Sequence, residues 1–184
     1  MRMSRAEAAE NRKKVVQTAS ELFREQGYDG IGIAGLMAAA GLTHGGFYKK
    51  FASKEALITE ATAAGLAENA VAWQTVLDRA GDEPLADFSR WYLSEDHITH
   101  RDKGCTYATL ACEAPRHGPD LRQAFEDGLK TSVDQLSGAS GMSQAEAIRE
   151  MSRLIGALIL ARAVEDPALA EQIVSANLER KTQR

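Results

Sequence analysis

Long apolar runs are missing from this 184-residue chain, so no stretch of it is suited to cross a membrane. The first residues also lack the apolar core of a secretory signal. The expectation is a soluble, cytoplasmic protein with no membrane partner. Cysteine is scarce: there are two, Cys105 and Cys112, expected as free thiols and not as a structural staple. Seven residues apart on one helix, they would be separated by a rise of about 10 Å, too far for a disulfide. Aromatic residues make up only 6% of a chain that is 44% hydrophobic, and alanine fills much of the difference, which suits close-packed helices. Strand patterns, internal repeats and low-complexity tracts are lacking as well. With a net charge of −4, the chain as a whole has too little positive charge to be a general coat for nucleic acid.

The charge that is present is unevenly spread. Residues 1–60 carry nine Lys/Arg against seven Asp/Glu, and residues 61–184 carry thirteen against nineteen. A basic head on an acidic body fits a head that approaches DNA and a body that does not.

Within the head the stretch Ala34–Phe51 organises the chain. An alanine-rich run ends at Gly41, which can take the left-handed backbone that closes a helix. Thr43 stands where the next helix should be capped. With Leu36, Leu42, Phe47 and Phe51 facing inward, the pattern reads as a helix-turn-helix whose second helix offers His44, Gly45, Gly46, Lys49 and Lys50 outward. The alternative is a solvated helical hairpin whose lysines touch only water. Upstream, a helix from about Ser4 to Gln26 buries Val15, Val16, Ala19, Leu22 and Phe23 and ends at Gly27. Arg2 ahead of it and Arg5 and Arg12 on it could reach a DNA backbone or a minor groove, with a solvated arm as the alternative for Arg2 and Arg5. Gly30-Ile31-Gly32-Ile33-Ala34-Gly35 spells G-x-G-x-x-G, and Glu55 stands 20 residues past Gly35. A dinucleotide fingerprint needs a buried strand before it, and here an amphipathic helix precedes it.

Downstream, Ser53 caps a helix from about Lys54 to Ala80, some 40 Å long at about 1.5 Å per residue. Pro84 opens the next. Asp96–Gly104 reads as a polar, irregular segment containing His97 and His100. Helix resumes from Cys105 to about Pro115 and from Pro119 to about Leu136, and Ser137–Met142 reads as a turn. A capping box at Ser143 and Glu146 opens a strongly apolar helix, and a last helix follows Pro167. The chain reads as all-α.

From about Arg12 to Leu57 the chain resembles the DNA-binding region of the TetR family of bacterial regulators (TetR/AcrR-like). Ala19, Leu22, Phe23, Gly27, Tyr28, Ala38, Ala40, Gly41, Gly45, Tyr48, Phe51, Lys54, Glu55 and Leu57 match in order and without gaps. The resemblance departs at Ile31, Gly32, Ala34 and Gly35, where relatives carry a Ser or Thr cap and polar residues, so a phosphate contact there is missing. It implies a three-helix DNA-binding head (residues 1–53) on a larger helical effector-binding and dimerisation body (residues 54–184). The function it implies is a homodimeric, ligand-responsive transcriptional repressor, released from a palindromic double-stranded operator by a small-molecule or electrophile effector. It is not an enzyme, and no cofactor is implied. On this pattern His44, Gly46 and Lys49 face base edges, while Thr43, Tyr48, Lys50 and Lys54 hold phosphates. Ile148, Ile155, Leu158, Ile159 and Ile173 supply the dimer interface, with ordinary intrachain core as the alternative. Trp73, Phe88, Trp91, Tyr92, Cys105, Tyr107, Phe125 and Met151 are candidates to line the effector pocket, again with filled core as the alternative.

Cys105, at a helix start after Arg101-Asp102-Lys103-Gly104, has nearby positive charge and free amides that would favour a reactive thiolate, with a small residue packing the helix start as the alternative, whereas Cys112 is expected buried and inert. His97, His100, Cys105 and Cys112 do not form a zinc spacing, and no metal is expected. Two other classes compete. An architectural DNA-binding protein with no effector would need a broad basic surface, which the acidic body lacks. A thiol-dependent hydrolase using Cys105 with His97 or His100 has no nucleophile elbow or paired carboxylates to support it.

Overall fold

The computed structural model describes residues 4–178, so Arg2 lies outside the described residues. Among them the chain forms nine α-helices and two single 3-10 turns, with no strand. Helix α1 (Arg5–Gln26) opens with a full capping box: Ser4 Oγ accepts from the Glu7 amide at 3.1 Å and the Glu7 carboxylate accepts from the Ser4 amide at 2.7 Å. It stops at Gly27, whose φ of 78° favours glycine. The buried stripe of Val15, Val16, Ala19 and Phe23 packs on α2 (Ile33–Ala39) and on α3 (Lys54–Arg79).

α3 begins at Ser53, whose Oγ accepts from the Ala56 amide. It continues from the head into the body, so the buried core runs unbroken from Phe23, Leu36 and Phe47 to Trp73, Phe88 and Leu110. The body is built from α4 (Pro84–Tyr92), α5 (Glu95–Thr99), α6 (Thr106–Leu110), α7 (Pro119–Ser140), α8 (Gln144–Ala163) and α9 (Pro167–Leu178). α7 lies along α3, α8 packs on α7, and α9 packs on α8.

Three expected boundaries differ. The segment expected to be irregular contains α5, because Ser94 Oγ accepts from the His97 amide and starts a turn of helix. The helix after Cys105 ends at Leu110, and Ala114–Arg116 forms a 3-10 turn before Pro119. α7 runs on to Ser140 and closes at left-handed Gly141, so the expected turn at 137–140 is helical.

Head and body are joined by a compact polar knot. Arg24, buried on α1, donates to the Asp102 carbonyl (2.6 Å), Ser20 Oγ (3.0 Å) and the Glu68 carboxylate (3.2 Å). This arrangement depends on Gly65 of α3, where a Cβ would stand 2.6 Å from Arg24 Nη1 and 2.9 Å from Thr106 Oγ1.

Candidate nucleic-acid interface and body site

The turn after α2 is a Schellman-type stop. Gly41 takes a φ of 71°, and the Leu42 amide reaches back five residues to the Met37 carbonyl at 2.8 Å. The element expected to be a second helix follows as one 3-10 turn, His44–Gly46, continued by hydrogen-bonded turns through Phe51. Its shortness has a local cause. Gly45 and Gly46 each cost about 1 kcal/mol relative to alanine in a helix, and the Thr43 side chain makes no cap. The segment is held instead by Phe47 and Phe51, both buried against Leu36 and Met37 in the head core.

Its outward face carries Thr43, His44, Gly45, Tyr48 and Lys49, all exposed, with Gly46 and Lys50 half-buried at the rim. Tyr48 is 65% exposed and rests edge-on against Phe47. No side chain at Gly45 shields the backbone, and a Cβ there would meet nothing within 4 Å. The resulting surface combines two lysines, a phenol and an imidazole with bare backbone, which suits close approach to a polyanion.

Lys54, assigned to a phosphate, and Arg12, which could reach a DNA backbone, both make contacts within the chain. Lys54 Nζ donates to the Tyr28 carbonyl at 2.6 Å and stands 4.0 Å from Asp29, so it fastens the loop after α1 to the start of α3. Arg12 pairs with Glu60, donates to the Lys50 carbonyl and lies over the Phe51 ring. Both uses involve residues distant in sequence, and no local pattern announces them.

In the body, Trp73, Phe88, Tyr92, Tyr107, Phe125, Met151 and Cys105 are all buried, with Trp91 half-buried beside them. The rings touch: Trp73 to Phe88 at 5.1 Å, to Tyr92 at 5.7 Å and to Tyr107 at 6.2 Å between centroids. These candidates are brought together as a packed aromatic core. Open clefts lie elsewhere. One of about 570 Å³ runs between the first turns of α3 and α7, including His117 and Leu121. Another of about 970 Å³ is lined by charged residues including Glu83, Arg90, Glu146 and Arg149.

Of the two readings of Cys105, packing at the helix start is the one the structure shows, while Cys112 departs from the burial expected of it. Cys105 is 0% exposed, and burial pushes its thiol above the ordinary range, overriding the helix start that was expected to favour thiolate. Cys112 is the exposed one, because α6 ends before reaching it. His97, expected in a solvated loop, is half-buried and stacks on Trp91. Its Nε2 accepts from the Cys105 amide (2.9 Å), which leaves Nδ1 protonated to donate to the Tyr92 carbonyl (2.7 Å). Burial, and then the nearby Arg162 charge, hold its pKa below the ordinary value. The Tyr92 hydroxyl, beside the Cys105 thiol, has no partner at hydrogen-bonding geometry among the described residues. Neither histidine is within hydrogen-bonding contact of a thiol, and no cluster of three metal-binding side chains occurs among the described residues.

The last two helices leave apolar area uncovered. Ile148 is 49% exposed, Ile159 42% and Leu160 56%, while Ile155 and Ile173 are half-buried between α8 and α9. Leu158 departs from the interface assigned to it. It is 0% exposed and belongs to the chain's own core, because it faces inward with Leu154 and Ala161, one turn away on either side.

Residues 15–61 match the model of the family described as bacterial regulatory proteins, tetR family. Solved structures with a similar fold include the reduced form of NemR from E. coli (20% identity, 91% of this chain and 95% of that one, TM-score 0.76). A TetR transcriptional regulator from Chloroflexus aurantiacus J-10-FL is similar at 22% identity, over 97% of this chain and 98% of that one, with a TM-score of 0.80. A TetR-family transcriptional regulator from Agrobacterium tumefaciens is similar at 21% identity, over 94% and 98%, with a TM-score of 0.75. At these identities the likeness shows the fold. No curated protein matches the chain in sequence.

Proposed function

We propose that this chain, which belongs through residues 15–61 to the tetR family of bacterial regulatory proteins, is a dimeric, sequence-specific repressor whose operator grip is released by a small molecule. The observation that carries the DNA reading is the exposed segment Thr43–Lys50. Phe47 is buried, while Thr43, His44, Tyr48 and Lys49 face outward from a glycine-lined backbone with Lys50 at the rim. His44, Gly46 and Lys49 face base edges, with Lys49 suited to guanine O6/N7, and Thr43, Tyr48 and Lys50 take phosphates.

Two copies join through α8 and α9, where Ile148, Ile159 and Leu160 meet their counterparts and Ile155 and Ile173 lie at the seam. The effector enters the aromatic cluster of the body between α3, α4 and α6. The buried Tyr92 hydroxyl, which lies beside the Cys105 thiol, offers it a hydrogen bond, and Trp73, Phe88 and Tyr107 offer it apolar surface. The cluster is closed in this structure, so binding must move those helices, and α3 carries that movement into the head. A non-covalent ligand fits better than an electrophile, because Cys105 is sealed and held as thiol.

The test is selection of fragments bound by the protein from genomic DNA of its own source. A shared pseudo-palindrome should emerge, and Lys49→Ala should relax preference at one position per half-site at a cost of about 1–3 kcal/mol. Recovery of fragments with no common sequence would contradict the proposal.

A further inference from the structure

Arg12 lies on α1, outside the recognition segment, yet its side chain touches three places that bear on that segment. Nε donates to the Lys50 carbonyl at 3.3 Å, at the segment's end. Nη1 donates to the Glu60 carboxylate on α3. The guanidinium carbon stands 4.6 Å above the ring of Phe51, the buried wedge that follows Lys50. A guanidinium is planar, and its donors form a rigid fork, so one group sets the distances and angles among all three. The Arg12–Glu60 pair is more than a third exposed on both sides, at 42% and 37%, so little stability is at stake in it. Its consequence is geometric. The recognition segment is a single 3-10 turn containing two glycines, so its own backbone bonds define its angle poorly.

We infer that Arg12 is a positioning residue for base reading: through the Lys50 carbonyl, the Phe51 ring and Glu60 it sets the angle of His44–Lys50 against α3. It thereby governs discrimination between sequences and not overall affinity for DNA. The inference rests on the reading of His44–Lys50 as the groove-facing segment. The rival is a plain phosphate contact by Arg12, and the two differ in sign at Glu60. If Arg12 were a phosphate ligand, Glu60→Gln would free it and remove a repelling carboxylate, tightening binding to every duplex. If Arg12 positions the segment, the same change loosens the segment and weakens binding to the operator alone.

The experiment measures binding of the full chain to a selected genomic duplex and to a scrambled one, over a range of salt, for wild type, Glu60→Gln and Arg12→Lys. Both variants should lose about tenfold on the selected duplex, comparable to one mismatched base pair. On the scrambled duplex they should change less than about twofold, with an unaltered salt slope. Glu60→Gln is close to isosteric at a partly exposed site, and its melting curve should overlay that of wild type. Tighter binding by Glu60→Gln, discrimination equal to wild type in both variants, or equal weakening on both duplexes would overturn the inference. A wild type that itself shows no preference would overturn the groove reading and this inference with it. A discriminating wild type beside variants that still discriminate overturns the inference alone.

Discussion

Cys105 shows how tertiary burial overrides a local signal. Its position at a helix start after two basic residues favours thiolate by every local rule. Enclosure among Tyr92, Tyr107 and the start of α6 removes the water a thiolate needs. A small electrophile at neutral pH should therefore label Cys112 first, with Cys105 reacting more slowly than a free model thiol. Mass spectrometry of the labelled peptides reads this directly, and faster labelling at Cys105 would show that the buried site opens readily. His97 gives a second residue-scale expectation. Its folded pKa lies below the ordinary 6.5, so the unfolded chain takes up the proton first. Stability should be whole above about pH 6.5 and fall as the pH drops through that value toward the folded pKa. Protonation also costs Nε2 its acceptor role toward the Cys105 amide. Urea midpoints on either side of pH 6.5 check the sign, and His97→Gln should flatten that limb while lowering stability above it.

At the scale of elements, the helices were legible wherever capping and periodicity agreed. Ser53, Pro84 and Ser143 with Glu146 all start helices where the sequence puts them, and Gly27 and Gly41 both end their helices at positive φ. The sequence was less informative where partners are distant. Lys54 reads as a phosphate contact until the Tyr28 carbonyl is seen beside it, and His97 reads as solvated until Cys105 folds back onto its ring. On α8 the periodicity identified an apolar helix but could not say which apolar stripe faces inward. Leu158 lies on the inner stripe, while Ile148, Ile159 and Leu160 lie outward. The two should fail differently on substitution. Ile159→Glu should give a folded monomer, since it places carboxylates across a two-fold interface without disturbing the core. Leu158→Glu should instead unfold the body, and even Leu158→Ala should cost about 2–5 kcal/mol. Sedimentation paired with thermal melts separates the outcomes, and an Ile159→Glu variant that stays dimeric at micromolar concentration would move the interface off this face.

For the whole molecule, the arrangement explains how an acidic protein can grip a polyanion. Residues 1–60 carry nine Lys/Arg against seven Asp/Glu, with Lys49 and Lys50 on the Thr43–Lys50 segment, and the excess of acid lies in the body. On the proposed reading a single such turn would contact few base pairs, so discrimination across a genome would require a second head. The uncovered apolar area of α8 and α9 supplies the means to recruit one. In the proposed dimer the knot of Arg24, Glu68, Asp102 and Gly65 would tie the spacing of the two heads to the packing of each body. The most direct measurement of this account is the mass and footprint of the protein on a duplex carrying its selected site. It predicts two chains per duplex, protecting two half-sites about one helical turn (~34–36 Å) or a multiple of it apart on one face, with affinity falling steeply as salt rises. One chain on a single half-site, or protection without sequence preference, would contradict it.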